Sequence, residues 1–275
     1  MTWRGNHGRR LRTLRTGQLD LWTVRTDGPA DAAIVCRLQG ILSADEQTES
    51  RRFRRARDQH QFIIARALVR LVLSQYFAIP AGDWRFERDH YGKPFVASPQ
   101  IRPPVLFSVS HTEGLIACLV TRLCESGVDV EKVKYSRDLP LVASQVFSPA
   151  ELTALNELSG WNWTTRFFDL WTLKEAYSKA RGLGLSLKWS DINFELGLDN
   201  AIYADFACAL NDDPSAWAFW CGPLSSRHIV AVAVKRGYQS RFEIMHQSVS
   251  FDEVSMNFVP LQDVGATQLR LHGFR

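Results

Sequence analysis

With 275 residues, 45% of them apolar and 23% charged, the chain has the ordinary composition of a globular protein and can bury one large core or two smaller ones. No window approaches the run of about 20 apolar residues that a membrane-spanning helix needs, so no membrane role is expected. A net charge of +4 is too mild to define a partner by itself, but it is unevenly spread: Arg51, Arg52, Arg54, Arg55 and Arg57 fall within seven residues. Such a run is either a solvated helix face or a contact for an anionic partner.

Residues 1–17 carry Arg4, Arg9, Arg10, Arg12 and Arg15, with no acid before Asp20 and no apolar core of the signal-peptide kind. They read as a frayed basic tail. Residues 19–25 alternate as a strand does. Ser43-Ala44-Asp45-Glu46 is a capping box, which predicts a helix running on through the arginine cluster. A second helix is expected from about 59 to 77, with Phe62, Ala65, Val69, Val72 and Tyr76 on one stripe and Pro80 beyond its end. Arg66 and Arg70 lie one turn apart beside that stripe, an unfavourable pairing that calls for an external anion. Strands follow near 84–87, at 105–109 and at 115–120, with a turn at Tyr91-Gly92-Lys93-Pro94; the second of these strands runs into Ser110-His111-Thr112.

The run Gly127-Val128-Asp129-Val130-Glu131 alternates apolar and acidic residues, putting Asp129 and Glu131 on one strand face. Side-by-side like charges cost energy unless a cation sits between them or the face is solvated. From here the order begins again. Phe147-Ser148-Pro149-Ala150-Glu151 is another capping box, 166–180 another long amphipathic helix stopped by Gly182 and Gly184, and strands are expected near 192–195, 201–206, 216–220 and 228–234. The fold class is therefore α+β, built from two similar halves. The expected divisions are a basic tail at 1–17, a first half at 18–124, a second half at 125–235 and an extension at 236–275 without firm periodicity. The five cysteines are odd in number and lack metal-ligand spacing, which fits reduced thiols in a cytoplasmic protein.

On the second long helix, Glu175 and Lys179 are neighbours one turn apart. They form either a surface ion pair worth about 0.3–0.5 kcal/mol or part of a site. A third carboxylate joined to Asp129 and Glu131 would make an all-oxygen set suited to Mg²⁺ and a phosphorylated substrate. The segment 132–147 combines Lys132, Lys134 and Arg137 with Leu139 and Leu141, the character of a docking surface for an acidic protein or of an ordinary loop.

Gly127-Val128-Asp129-Val130-Glu131 followed by Trp171-Thr172-Leu173-Lys174-Glu175-Ala176-Tyr177-Ser178-Lys179 resembles the signature pair of the 4′-phosphopantetheinyl transferases, of the two-half type that activates surfactin synthetase. Tyr91-Gly92-Lys93-Pro94 and Phe107-Ser108-Val109-Ser110-His111 match that family's upstream motifs in order, and the likeness extends from about residue 51 to 234. The resemblance implies two halves in a pseudo-twofold arrangement with the active site in the cleft between them. It implies transfer of 4′-phosphopantetheine from coenzyme A to a serine of an apo acyl or peptidyl carrier protein, by a monomer, leaving 3′,5′-ADP. Asp129, Glu131 and Glu175 would hold Mg²⁺, with Mn²⁺ an alternative. Lys93, Ser110 and His111 would contact coenzyme A phosphates, with Lys174 and Lys179 near the pyrophosphate. Glu175 would act as general base and Lys179 would neutralise the leaving group.

One departure stands out. Where some members bind the 3′-phosphate with basic residues, this chain has Asp45-Glu46-Gln47-Thr48 and then Gln61, leaving Arg66 as the first candidate, with Arg51 and Arg55 behind it. Competing readings are another Mg²⁺-dependent nucleotide phosphotransferase, which lacks its glycine-rich phosphate loop here, a duplicated module without catalysis, and a nucleic-acid binder using the arginine cluster. No nucleic-acid partner is expected, because the last of these leaves the three carboxylates without a purpose.

Overall fold

The computed structural model describes residues 11–27, 32–197, 201–237, 241–251, 258–260 and 267–270. In chain order the elements are β1 (Gln18–Arg25), α1 (Ala32–Gln39), α2 (Ala44–Ser50), α3 (Ala56–Tyr76), β2 (Arg85–Arg88), β3 (Pro94–Ser98), β4 (Val105–Thr112) and β5 (Leu115–Arg122). After them come β6 (Ser126–Lys132), α4 (Leu139–Val146), α5 (Pro149–Asn156), α6 (Gly160–Arg181), β7 (Ile192–Leu196), β8 (Ile202–Phe206), β9 (Trp217–Ser225) and β10 (His228–Lys235). The chain closes with β11 (Glu243–Phe251), β12 (Phe258–Pro260) and β13 (Thr267–Arg270). The class is α+β, as expected. The described residues divide into two compact units, one drawn from 1–89, 94–123 and 243–269, the other from 90–93, 124–242 and 270–275.

In the first unit the sheet runs β12-β11-β1-β5-β4, with β13 also on β11, and β2–β3 form a separate hairpin. Trp22 and Val24 of β1 pack with Val69, Val72 and Tyr76 of α3 in one core. The polar atoms of this core are paired: Trp22 Nε1 donates to Tyr76 OH at 2.8 Å, and that hydroxyl donates to buried Asp20. In the second unit the sheet runs β6-β10-β9, with β7–β8 as its hairpin, and α6 supplies Phe167, Leu170, Leu173 and Tyr177 to the core.

The two units repeat one plan. Each has an opening strand, a box-capped short helix, a long helix and two hairpins, and each opening strand pairs antiparallel with the last strand of its second hairpin. Both capping boxes form: Ser43 Oγ accepts from Glu46 N and Ser148 Oγ from Glu151 N, while each glutamate accepts from the backbone of its serine.

Several expectations change. α2 stops at Ser50, and Arg51 to Arg55 occupy the exposed connector to α3. On a continued helix Arg51 would face Arg54 and Arg55 one turn on, an unfavourable spacing for like charges. Arg70 needs no external anion: it is buried, bridges to Glu46 at 2.5 Å and donates to the carbonyls of Ala81 and Trp84. Of the N-terminal segment, residues 11–17 are held on the first unit. Leu14 is buried, and Arg12 lies over the Trp22 ring with its N–H on Gln75 O; residues 1–10 lie outside the described residues. The C-terminal segment supplies β11, which pairs parallel with β1 from Gln18↔Glu243 to Val24↔Val249.

Gly127 positions the site. A Cβ there would overlap Ala176 O and lie 2.5 Å from Ala180 N, so the backbone of α6 crosses β6 at the one residue with no side chain. Because the obstacle is helix backbone, Gly127→Ala should cost about 3 kcal/mol or more, seen as lost soluble yield or a large drop in melting temperature.

Candidate active site

Asp129 stands on β6 two residues past this crossing. It is buried, opposite Ala231 of β10, and its Oδ1 accepts from Lys179 Nζ at 2.5 Å. Glu175 lies one turn before Lys179 on α6. Burial raises its carboxyl above the usual range, the Lys179 ammonium opposes that, and the Asp129 charge adds to it. The two carboxylates therefore feel one another, with Lys179 as the cation they share. Glu131 is partly exposed and lies two residues along β6, on the same strand face as Asp129. The period-2 reading of this strand thus holds.

The donor chemistry of Asp129, Glu131 and Glu175 is all oxygen, which suits a hard divalent cation. Among the described residues, no three metal-ligating side chains stand gathered at ligand spacing.

The lysines divide by environment. Lys93 lies at the Tyr91–Pro94 turn, where Gly92 takes φ 86°, and its Nζ donates to Ala180 O at 2.8 Å and more weakly to Ser126 O at 3.5 Å. An ammonium on a last-turn carbonyl is favoured by the helix dipole, so Lys93 braces α6. Lys174, expected near a pyrophosphate, faces the other way. It is fully buried, bridges to Glu151 at 2.8 Å and donates to Trp189 O and Ile192 O at 2.8 and 2.5 Å. With its three donors spent, it is a core residue and leaves the set of substrate contacts.

In the first unit, Ser110 is buried near the end of β4 and His111 is exposed beside it. Gln61 of α3 donates to Thr112 O at 2.6 Å, fixing the end of that strand. Arg66 lines a cavity of about 400 Å³ with Glu46, Glu49, Arg70, Arg85 and Arg88. Its guanidinium lies over the Phe62 ring, and burial first, then the neighbouring Arg88 charge, pull its pKa down. The Glu46 and Glu49 charges oppose that shift, so the cavity already sets acids beside its arginines.

The segment after β6 exposes Lys134 and Arg137, with Lys132 partly exposed. Leu141 is 64% exposed on α4, whereas Leu139 packs against the core. Tyr135, 75% exposed between the two basic residues, belongs with this surface and was overlooked in the sequence; its only signal is an aromatic ring inside a basic run.

Asp169 of α6 was also overlooked. The Cys221 thiol lies 3.8 Å from its Oδ1 and Arg166 Nε 3.8 Å from its Oδ2. Burial pushes its carboxyl from the ordinary 3.8 up to about 6, against the pull of Arg166 and Cys221. The folded state thus keeps a proton that the unfolded chain releases, so this contribution to stability is full below 3.8 and is lost as pH rises through about 6. Urea unfolding of Asp169→Asn should show a flatter decline between about pH 4 and 7 than the wild type, and a higher stability at the upper end.

Residues 125–233 match the family model of the 4′-phosphopantetheinyl transferase superfamily, and residues 29–123 that of the 4′-phosphopantetheinyl transferase N-terminal region. The chain is 30% identical over 174 residues to the 4′-phosphopantetheinyl transferase HetI of Nostoc sp., covering 63% of this chain and 73% of that one. It is 28% identical over 187 residues to the transferase Sfp of Bacillus subtilis, covering 67% and 80%. With the L-aminoadipate-semialdehyde dehydrogenase-phosphopantetheinyl transferase of Mus musculus it shares 25% identity over 227 residues, covering 78% and 72%. The chain belongs to the 4′-phosphopantetheinyl transferase superfamily.

Proposed function

We propose that Asp129, Glu131, Glu175 and Lys179 form the reaction centre of this chain. The observation that carries the reading is a buried Asp129 bonded to Lys179 at 2.5 Å, with the carboxyl of Glu175 responding to both charges. The enzyme is a 4′-phosphopantetheinyl transferase, which moves the 4′-phosphopantetheine group of coenzyme A to a serine hydroxyl of an apo carrier protein and releases 3′,5′-ADP. The three carboxylates would hold Mg²⁺ or Mn²⁺, which supplies positive charge to the pyrophosphate oxygens. Glu175 takes the serine proton. Lys179 neutralises the phosphate of the leaving 3′,5′-ADP. Ser110 and His111 contact coenzyme A phosphates, and Arg66 takes the 3′-phosphate.

Lys132, Lys134, Tyr135, Arg137 and Leu141 form the surface for an acidic acyl or peptidyl carrier protein, with positive charge for encounter and exposed apolar side chains for contact. We assign the enzyme to the cytoplasm as a monomer, on its five free cysteines and its two units in one chain. Among the described residues no helix is long and apolar enough to cross a membrane.

Incubation with coenzyme A, Mg²⁺ and apo carrier proteins, read by intact mass, should show the mass gain of one phosphopantetheine. Asp129→Ala and Glu175→Ala should each abolish the gain while the protein stays folded by circular dichroism; retained turnover in either would overturn the reaction centre. Arg66→Ala should weaken coenzyme A by about tenfold, the worth of a charged hydrogen bond, and weaken dephospho-coenzyme A far less. Equal weakening of the two ligands would remove Arg66 from the 3′-phosphate.

A further inference from the structure

The last two turns of α6 are gripped by a carboxylate that has no part in the centre described above. Asp212, in the loop between β8 and β9, accepts three hydrogen bonds on one oxygen: from Tyr177 OH at 2.8 Å, Arg181 Nη1 at 2.6 Å and Trp217 Nε1 at 2.9 Å. Tyr177 and Arg181 are one turn apart and lie two residues either side of Lys179. At 100° per residue they occupy the helix face turned away from it. Trp217 opens β9, which belongs to the same three-stranded sheet as Asp129. The oxygen of Asp212 therefore ties the back of α6 to the sheet that carries the acid in front of it.

The loop that presents Asp212 is itself held. Asn211 takes a left-handed conformation at φ 48°, and Asp213 accepts from Ser215 N at 2.8 Å and from Ser215 Oγ at 2.7 Å. The ion pair of Lys179 with Asp129 is 30% exposed on the lysine side and 4% on the aspartate side. It acts on the tip of a flexible four-carbon stem, not on the rotation of the helix backbone behind it. Lys93 adds a hold on the backbone of the same turn, at Ala180 O.

We infer that Asp212 is a positioning residue for the transfer: through Tyr177 and Arg181 it sets the rotation of the end of α6, and so where the Lys179 ammonium stands over Asp129. The inference rests on the role given to Lys179 above. Asp212→Asn keeps an oxygen for the three donors, whereas Asp212→Ala removes it. The Arg181 and Asp212 side chains are 18% and 12% exposed, so water can reach the Arg181 bond, whereas Tyr177 and Trp217 are buried and Asp212→Ala leaves their donors to be met by local rearrangement.

The test compares the wild type with Asp212→Ala, Asp212→Asn, Arg181→Met and Lys179→Met in steady-state transfer to an apo carrier protein. Melting temperature and hydrogen exchange of peptides covering 174–183 are followed alongside. In Asp212→Ala, kcat should fall by about 10–100-fold, the cost of a misplacement near 1 Å, with the KM for coenzyme A little changed and faster exchange confined to the end of α6. Asp212→Asn should restore most of kcat. Arg181→Met should give a smaller loss with the same split, and it serves as the readout if Asp212→Ala is unstable. A wild-type kcat in folded Asp212→Ala, or a loss that Asp212→Asn does not relieve, overturns the inference alone when Lys179→Met is inactive. Wild-type turnover in Lys179→Met overturns the role of Lys179, and the inference with it.

Discussion

Each unit depends on a buried cation reaching from its long helix to the capping box of the short helix before it. In the first unit Arg70 bridges to Glu46 and donates to the carbonyls of Ala81 and Trp84. In the second, Lys174 bridges to Glu151 and donates to those of Trp189 and Ile192. A charge removed from water is tolerated only when its hydrogen bonds are all supplied. Glu151 meets that condition: it accepts from Ser148 N and Phe194 N besides Lys174. Burial lowers the pKa of Lys174 and the Glu151 charge opposes it. One ammonium thus joins a helix cap, the middle of α6 and the entry to β7, and the residue after it is Glu175. Removing one partner of such a pair typically costs about 3–5 kcal/mol, so the depth at which Glu175 sits is set by a contact outside the proposed centre.

The shared plan also shows where the two units part. Counted from the turn of each second hairpin, Trp22 opposite Cys118 holds the place in the first unit that Asp129 opposite Ala231 holds in the second. The first unit fills that place with an indole bonded to Tyr76, and its polar capacity is spent inside the core. The second opens it with Gly127, lets the backbone of α6 approach, and meets the acid with Lys179. Around the cavity of the first unit Arg66, Arg70, Arg85 and Arg88 are interleaved with Asp45, Glu46, Glu49 and Glu87.

Two lysines of one motif show how far local reading reaches. Lys174 and Lys179 lie on the same helix within a turn and a half, and although spacing pairs Lys179 with Glu175, nothing local shows which of the two is buried. Burial does: Lys174 points to the box of α5 and becomes structural, whereas Lys179 points to β6 and stays partly open. Lys93 behaves likewise. Its turn was legible from Gly92 and Pro94, but its partner Ala180 lies 87 residues away in the chain.

The sequence by itself determined what neighbours in the chain decide. Both capping boxes, the alternating strand with Asp129 and Glu131, the stop at Gly182, the twofold order of elements and the family motifs follow from bonds and periods spanning a few residues. Only the tertiary structure decided which charges are spent inside: Arg70, Lys174 and Asp169 meet partners brought from distant segments. Only it paired β1 with β11, from opposite ends of the chain. The physical reason is the same in each case. A helix cap or a strand period is settled by local hydrogen bonding, whereas the cost of a charge depends on the water left around it, and that is known only once the whole unit has closed.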